Sequence, residues 1–297
     1  MNQAGVCLVG YGEVGRVFCA GLKSRDGVAS IGAWDLKFLP GAAGRDAALA
    51  HAAQAGVRAF GSMQQACAGT DLLISAVTAS NTLAVALEAA QCIRPGAWFL
   101  DLNSASPGTK QQAAAAIDGA GARYVEAGVM TSVPPYGIRV PMLLGGAAAP
   151  ALAAQLTGWG MDATVVSERI GVASAIKMCR SVMIKGLEAL VIESYATARH
   201  YGVEAQVLPT LAETFPSIDW QAQGSYFFSR VVQHGKRRAE EMREATLTVR
   251  EAGFEPWMAP AIAVRQDWVA QQADAGRFDD LPIDACWQQF ADRLLAR

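Results

Sequence analysis

The chemistry this chain can do is concentrated in two groups of residues. One lies in the segment GVASAIKMCRSVMIKGLEALVIES, Gly171 to Ser194, where a 3.6-residue repeat puts Lys177, Ser181, Lys185 and Glu188 on one face with Ile184 among them. The rest of that surface is Ile176, Met178, Val182, Met183, Leu187, Leu190 and Val191, a composition that predicts a buried helix with a narrow polar stripe. Burial lowers the pKa of a lysine and a like-charged neighbour lowers it further, so Lys177 is a candidate general base. The competing reading is that Lys177 and Lys185 bridge to carboxylates, with Glu188 three residues from Lys185. Spacing alone does not choose between the two.

The other group is VCLVGYGEVGRVFCAGL, Val6 to Leu22, with Gly10, Gly12 and Gly15 in a G-x-G-x-x-G pattern. It follows an apolar strand and opens a helix. Gly10 permits the tight turn, Gly12 lets backbone approach a pyrophosphate, and Gly15 allows close packing of helix on strand. The helix N-terminus offers partial positive charge to phosphate, so Tyr11, Glu13 and Val14 join the glycines as candidate cofactor contacts. Asp35 ends the next strand at the spacing of the acid that binds a ribose 2′-hydroxyl, whereas a solvated loop carboxylate is its bland alternative. The acid favours NAD, because it repels a 2′-phosphate. Lys37, two residues on, offsets that repulsion and leaves NADP open.

The elements that must position these residues are legible from periodicity. Strands are predicted at Val6–Gly10, Ser30–Asp35, Leu72–Val77, Trp98–Asn103, Arg123–Ala127, Pro141–Gly145 and Thr164–Ser167. Helices are predicted near 14–24, 43–55, 62–68, 80–92, 107–118 and 148–158. This alternation is the pattern of a parallel sheet covered by helices, and runs such as Leu72-Leu73-Ile74 suit a sheet buried on both faces. Ligands of such sheets bind at strand carboxyl ends, which adds Val77, Thr78 and Asn103 as contacts for the nicotinamide end. Each also reads as a turn or cap residue, and Ser106-Pro107 reads as an N-cap followed by proline. Beyond Glu168 no strand is predicted; helices run through 171–200, 204–213, 224–251 and 258–272, punctuated by Pro209, Pro216, Pro256 and Pro282. The expected architecture is an α/β Rossmann-type domain over 1–167 and an all-α domain for substrate binding and oligomerisation over 168–297.

Composition narrows the class. Of 297 residues 52% are apolar and the formal charge is −2, without a long Lys/Arg run, which speaks against nucleic acid and anionic membrane surfaces as partners. The stretch Val140 to Leu156 is broken by Pro141, Gly145, Gly146 and Pro150, so no membrane span is expected. The N-terminus has no basic segment ahead of its apolar run and does not read as a signal peptide. The cysteines, Cys7, Cys19, Cys67, Cys92, Cys179 and Cys286, form no CxxC pair and read as reduced, mostly buried thiols of a cytoplasmic protein. The three histidines are too dispersed to suggest a metal site.

The glycine motif, the DLNSASP segment (Asp101–Pro107) and the helix carrying Lys177-Met178 together resemble the β-hydroxyacid dehydrogenase superfamily over most of the chain. The likeness is greatest to its 6-phosphogluconate-dehydrogenase-like branch with a compact helical C-terminal domain, in which FPSIDW (Phe215–Trp220) and HGKRRAEEMREA (His234–Ala245) have counterparts. This resemblance implies a catalytic lysine at Lys177. The family asparagine one turn later falls on Ser181, and the substrate-binding loop falls on Glu126–Ser132, with Met130 at its serine position and Thr131 and Ser132 as alternative hydroxyls. The acid of true 6-phosphogluconate dehydrogenases falls on Ile184, and their long C-terminal extension has no counterpart, so that activity is not expected.

Lys236, Arg237, Arg238, Glu240, Glu241, Arg243 and Glu244 read first as a solvated helix face with pairs such as Arg237–Glu241. Their functional reading is that His234, Arg237 or Arg238 clamps an acidic substrate. The aromatics Phe215, Trp220, Tyr226, Phe227, Phe228, Phe254 and Trp257 are expected in the core or at a subunit interface. The resulting expectation is an NAD(P)-dependent dehydrogenase that oxidises a 3-hydroxy acid, or reduces the matching keto acid or semialdehyde. Lys177 is its acid/base, and Asn103, Met130, Thr131, Ser132, Ser181, Lys185, His234 and Arg237 line the substrate. The alternatives are a small aldehyde or imine reductase on the same scaffold and a non-catalytic NAD(H)-sensing protein. The resemblance further implies a homo-oligomer, dimer or tetramer.

Overall fold

A computed structural model describes residues 3–282 and 284–296. Its first compact unit, Met1–Met178, is built on one eight-stranded sheet in the order β3-β2-β1-β4-β5-β6-β7-β8. The strands are β1 (Ala4–Val9), β2 (Val28–Trp34), β3 (Arg58–Ala59), β4 (Leu72–Ser75), β5 (Trp98–Asp101), β6 (Arg123–Val129), β7 (Met142–Gly145) and β8 (Ala163–Ser167). Six helices connect them: α1 (Glu13–Leu22), α2 (Arg45–Gln54), α3 (Met63–Cys67), α4 (Thr82–Ala90), α5 (Pro107–Gly119) and α6 (Ala149–Gly158). The pairing is parallel except between β6 and β7, which run antiparallel from Glu126↔Gly145 to Val129↔Met142, so the all-parallel expectation needs correcting at that edge. The chain loops back there through residues 130–141 without a crossover helix, as an antiparallel neighbour permits.

Alternation along the strands feeds a core on each face. Val6, Leu8, Ile74 and Leu100 pack on one side, whereas Cys7, Val9, Leu73 and Phe99 pack on the other. The order places β1 between β2 and β4, the switch point at which open α/β sheets bind ligands.

The second unit, Cys179–Arg297, contains the rest of α7 (Val172–Tyr201) with α8 (Glu204–Thr214), α9 (Trp220–Glu251), α10 (Met258–Asp274) and α11 (Trp287–Leu295). The division falls inside α7 after Met178, not ahead of it. Its core joins Ile192, Tyr195, Phe228, Val231, Val269, Trp287 and Phe290. Gly235 lets α9 approach α10 so closely that a β-carbon there would stand 2.6 Å from the Gln266 carbonyl oxygen.

Pro209 lies inside α8, within the helix expected over 204–213. Several expectations are corrected. On α7 Met178 and Val191 are buried as expected, together with Ser181, Lys185 and Glu188 of the polar stripe, but Ile176, Met183 and Leu190 are exposed. Only Trp220 and Phe228 of the singled-out aromatics are buried, while Phe215, Tyr226, Phe254 and Trp257 are exposed. All six cysteines are free thiols, but Cys179 is exposed and Cys92 and Cys286 are partly so.

Candidate active site

The glycine turn fits a dinucleotide at each position. Gly10 has φ +98°, and a β-carbon on it would stand 2.4 Å from the Ala76 carbonyl oxygen; at Gly15 it would stand 2.0 Å from that of Gly10. At Gly12, the residue ahead of α1, a β-carbon would meet nothing within 4 Å, so the helix N-terminus opens onto space where a pyrophosphate can approach. Glu13 and Val14 follow in the first turn, Glu13 with its side chain exposed. Tyr11 contributes only backbone here. Its ring is buried against Phe38 and its hydroxyl lies 3.0 Å from His51 Nδ1.

Asp35 is bound to this turn. Its Oδ2 accepts the Tyr11 N–H at 2.6 Å and its Oδ1 the Lys37 N–H at 2.8 Å, so each oxygen keeps lone pairs for a further donor. The register Val9↔Trp34 makes this possible by ending β1 and β2 side by side. Lys37 carries an exposed side chain beside the acid.

At the carboxyl ends of β4 and β5 the polar residues hold one another. Asn103 is buried; its Oδ1 accepts the Val77 N–H at 2.7 Å and its Nδ2 donates to Ser75 Oγ at 2.9 Å. Beneath it Asp101 Oδ1 accepts the Asn103 N–H and pairs with Lys110 Nζ, both at 2.9 Å, while Oδ2 accepts the Tyr124 hydroxyl at 2.6 Å. Burial and the Asp101 carboxylate drive the Tyr124 phenol far above its ordinary pKa. Asn103 therefore shapes the loop after β4. Thr78 is exposed, and its Oγ1 accepts Asn81 Nδ2 at 2.8 Å. Ser106 caps α5 as expected, accepting the Thr109 N–H at 3.2 Å.

Lys177 stands on the second turn of α7, half-buried, on the same unit as the glycine turn. This end of the helix packs on β6: a β-carbon at Gly128 would come 3.0 Å from the Ala173 carbonyl oxygen and 3.5 Å from Lys177 Cβ. Because β6 runs parallel to β5, β4 and β1, its carboxyl end lies on the sheet edge that carries the glycine turn. Met130 and Ser132, half-buried, and Thr131, exposed, continue from that end.

Ser181, Lys185, His234 and Arg237 belong to the second unit. Lys185 Nζ pairs with Glu241 Oε2 at 2.8 Å and donates to Ser181 Oγ at 3.2 Å, the carboxylate bridge of the simpler reading. Glu188 is taken by Arg238, whose Nε donates to Oε2 at 2.8 Å and whose Nη2 donates to Oε1; Gln266 Nε2 adds a bond at 3.2 Å. Burial opposes the Arg238 charge, but the Glu188 bond and carboxylate outweigh it and raise its pKa. The solvated-face reading holds for Lys236 and Arg237, which are exposed, and fails for buried Arg238. His234, half-buried, is held down to about 4 by burial first and then by Arg230, Arg237 and Arg238. Its imidazole is neutral near pH 7. Partners such as Glu241 and Gln266 carry no sequence signal, because their approach to α7 depends on how helices pack. Among the described residues no group of three or more His, Cys, Asp or Glu is placed to hold a metal, and no helix is long and apolar enough to cross a membrane.

The Rossmann-type sheet, the glycine cradle with Asp35 and the helical second unit define a two-domain nicotinamide-dinucleotide-binding protein. The chain belongs with proteins that join a 6-phosphogluconate-dehydrogenase-type NAD-binding domain to a helical C-terminal domain. Residues 6–137 match the NAD binding domain of 6-phosphogluconate dehydrogenase, and residues 198–269 match a domain of unknown function. A conserved hypothetical protein from Sinorhizobium meliloti 1021 is 36% identical, with 99% of this chain and 96% of that one aligned and a TM-score of 0.76. A conserved protein of unknown function with structural similarity to 3-hydroxyacid dehydrogenases is 28% identical, with 92% and 98% covered and a TM-score of 0.68. A 3-hydroxyisobutyrate dehydrogenase from Mycobacterium tuberculosis, solved with L-serine, shares the fold at 17% identity, with 99% and 100% covered and a TM-score of 0.68.

Proposed function

We propose that this protein is an NAD-preferring dehydrogenase of a 3-hydroxy acid, or a reductase of the matching keto acid or semialdehyde, with Lys177 as the acid/base. The observation that carries this reading is the packing of Lys177 against β6 beside Gly128, next to the Met130–Ser132 loop and on the sheet edge of the glycine turn. Gly10, Gly12, Gly15 and Asp35 hold the dinucleotide, whose nicotinamide supplies the hydride acceptor. The chain's own part is to orient the substrate with Thr131 and Ser132 and to move the hydroxyl proton at Lys177 Nζ: off the alcohol in oxidation, back in reduction. Asp35 favours NAD by meeting ribose hydroxyls with a carboxylate. Ile184 has no carboxyl group, so this position supplies no acid to assist decarboxylation of a keto-acid product.

Six free thiols support a reducing, cytoplasmic location, and exposed Met183, Leu190, Met258 and Val264 support assembly of copies through the helical unit. The purified protein is to be screened with 3-hydroxy acids and semialdehydes in the presence of NAD or NADP, following absorbance of the reduced cofactor. Turnover of a 3-hydroxy acid that Lys177→Ala abolishes is the expected result. Undiminished turnover in that variant overturns the mechanism.

A further inference from the structure

Glu126 sits in the middle of β6 with no exposed surface, and among the described residues its carboxylate forms no ion pair. It accepts three backbone N–H groups instead: Gly171 at 2.7 Å and Ala173 at 3.1 Å on Oε1, and Ser174 at 3.3 Å on Oε2. These are amides at the start of α7, where no intrahelical carbonyl is available to them. Gly171, the residue ahead of the helix, has no side chain to cap it. Glu126 does so from the neighbouring strand, its carboxyl oxygens facing the positive end of the helix dipole.

The surroundings are shaped for this contact. Gly145 faces Glu126 across the β6–β7 pair, and a β-carbon there would lie 2.5 Å from Glu126 Oε1. Two residues along the same face of β6, Gly128 receives Ala173 and Lys177. One strand therefore fixes the rotation and height of α7 through Glu126 and Gly128, and its end carries the Met130–Ser132 loop. A helix turned about its axis by one residue would move Lys177 by about 100°.

We propose that Glu126 is the positioning residue of Lys177: by gripping the first amides of α7 it sets where the lysine amine stands relative to the loop that follows β6. This rests on Lys177 being the acid/base, but its placement can be read without turnover. The lysines of the full-length protein are to be reductively methylated with ¹³C-formaldehyde and their NMR signals followed through a pH titration, with Lys177→Arg assigning the Lys177 signal.

In Glu126→Gln the amide offers a single acceptor oxygen and turns an N–H₂ toward amides that need acceptors. The Lys177 signal and its titration midpoint are expected to move, while those of exposed Lys37 and Lys236 stay. The kcat is expected to fall at least about tenfold, with the Kd for the cofactor changed less than about twofold. Gly128→Ala, which leaves the cap intact and adds one methyl under Ala173 and Lys177, is expected to move the same signal and lower kcat in the same sense. If Glu126→Gln does not fold, Glu126→Asp, which shortens the reach to the α7 amides by one methylene, decides the matter by the same signal. A Lys177 signal unmoved in the folded variant overturns the proposal. Undiminished turnover in Lys177→Ala, with the signal still displaced by Glu126→Gln, removes the catalytic reading and leaves the positioning one standing.

Discussion

Lys185 Nζ lies 2.8 Å from Glu241 Oε2, a bridge from α7 to α9 that is largely removed from solvent. It separates two lysines that helical spacing alone places on one stripe.

Lys185 belongs to the packing of the second unit, so its loss acts on stability. Lys185→Met removes the nearer of the cations on Glu241, which keeps Arg237 Nε at 3.9 Å, and is expected to cost about 2 kcal/mol. A denaturation midpoint measures this, and a stability equal to wild type contradicts it. Lys177→Ala is expected to do the reverse, lowering kcat by about a hundredfold or more with the midpoint nearly unchanged.

The Glu188–Arg238 pair makes a second case, best read as a double-mutant cycle. Glu188→Leu alone leaves a buried guanidinium without its carboxylate and is expected to destabilise by about 3–5 kcal/mol. Adding Arg238→Met is expected to restore much of that loss, because two apolar side chains bury without an uncompensated charge. Additive losses would show that the two groups are not coupled.

His234 makes stability depend on pH. Its folded pKa, about 4, lies below the ordinary 6.5, so between these values the unfolded chain binds the proton that the folded chain refuses. Stability is full above about pH 6.5 and falls as the pH drops toward 4. His234→Gln is expected to flatten that part of a plot of Tm against pH. Equal slopes in the two proteins refute the assignment.

Asp35 sets the cofactor preference. Asp35→Ser is expected to lower kcat/KM with NAD about 10- to 100-fold, the loss of charge-assisted bonds to ribose, and to lower that with NADP much less. Parallel initial rates with the two cofactors check this. A larger loss with NADP would mean that the acid does not meet the ribose.

Legibility in the sequence followed the range of the forces involved. Every strand of the first unit except β3 stands where β-rich runs predict it; Arg58–Ala59 is too short to show periodicity. α11 carries no such local signal, because its nine residues, Gln288, Gln289 and Asp292 among them, form a helix whose burial rests on Trp287 and Phe290 meeting a distant core. Pro209 reads as a breaker, yet α8 has no buried residues and tolerates the lost hydrogen bond at the surface. The glycines and Asp35 were legible because their reasons are local. Glu126, Lys110 and Arg238 were not, since a buried charge looks like any surface charge until partners from other elements arrive.

The fit of Glu126 over Gly145 also bears on how this chain can change over evolutionary time. A side chain at 145 becomes tolerable only once residue 126 has been shortened, and a shorter 126 loosens its hold on the amides of α7. The two positions are thereby locked into joint drift. Among relatives, substitutions at one are expected to accompany substitutions at the other, and alignments of the family are the place to count them.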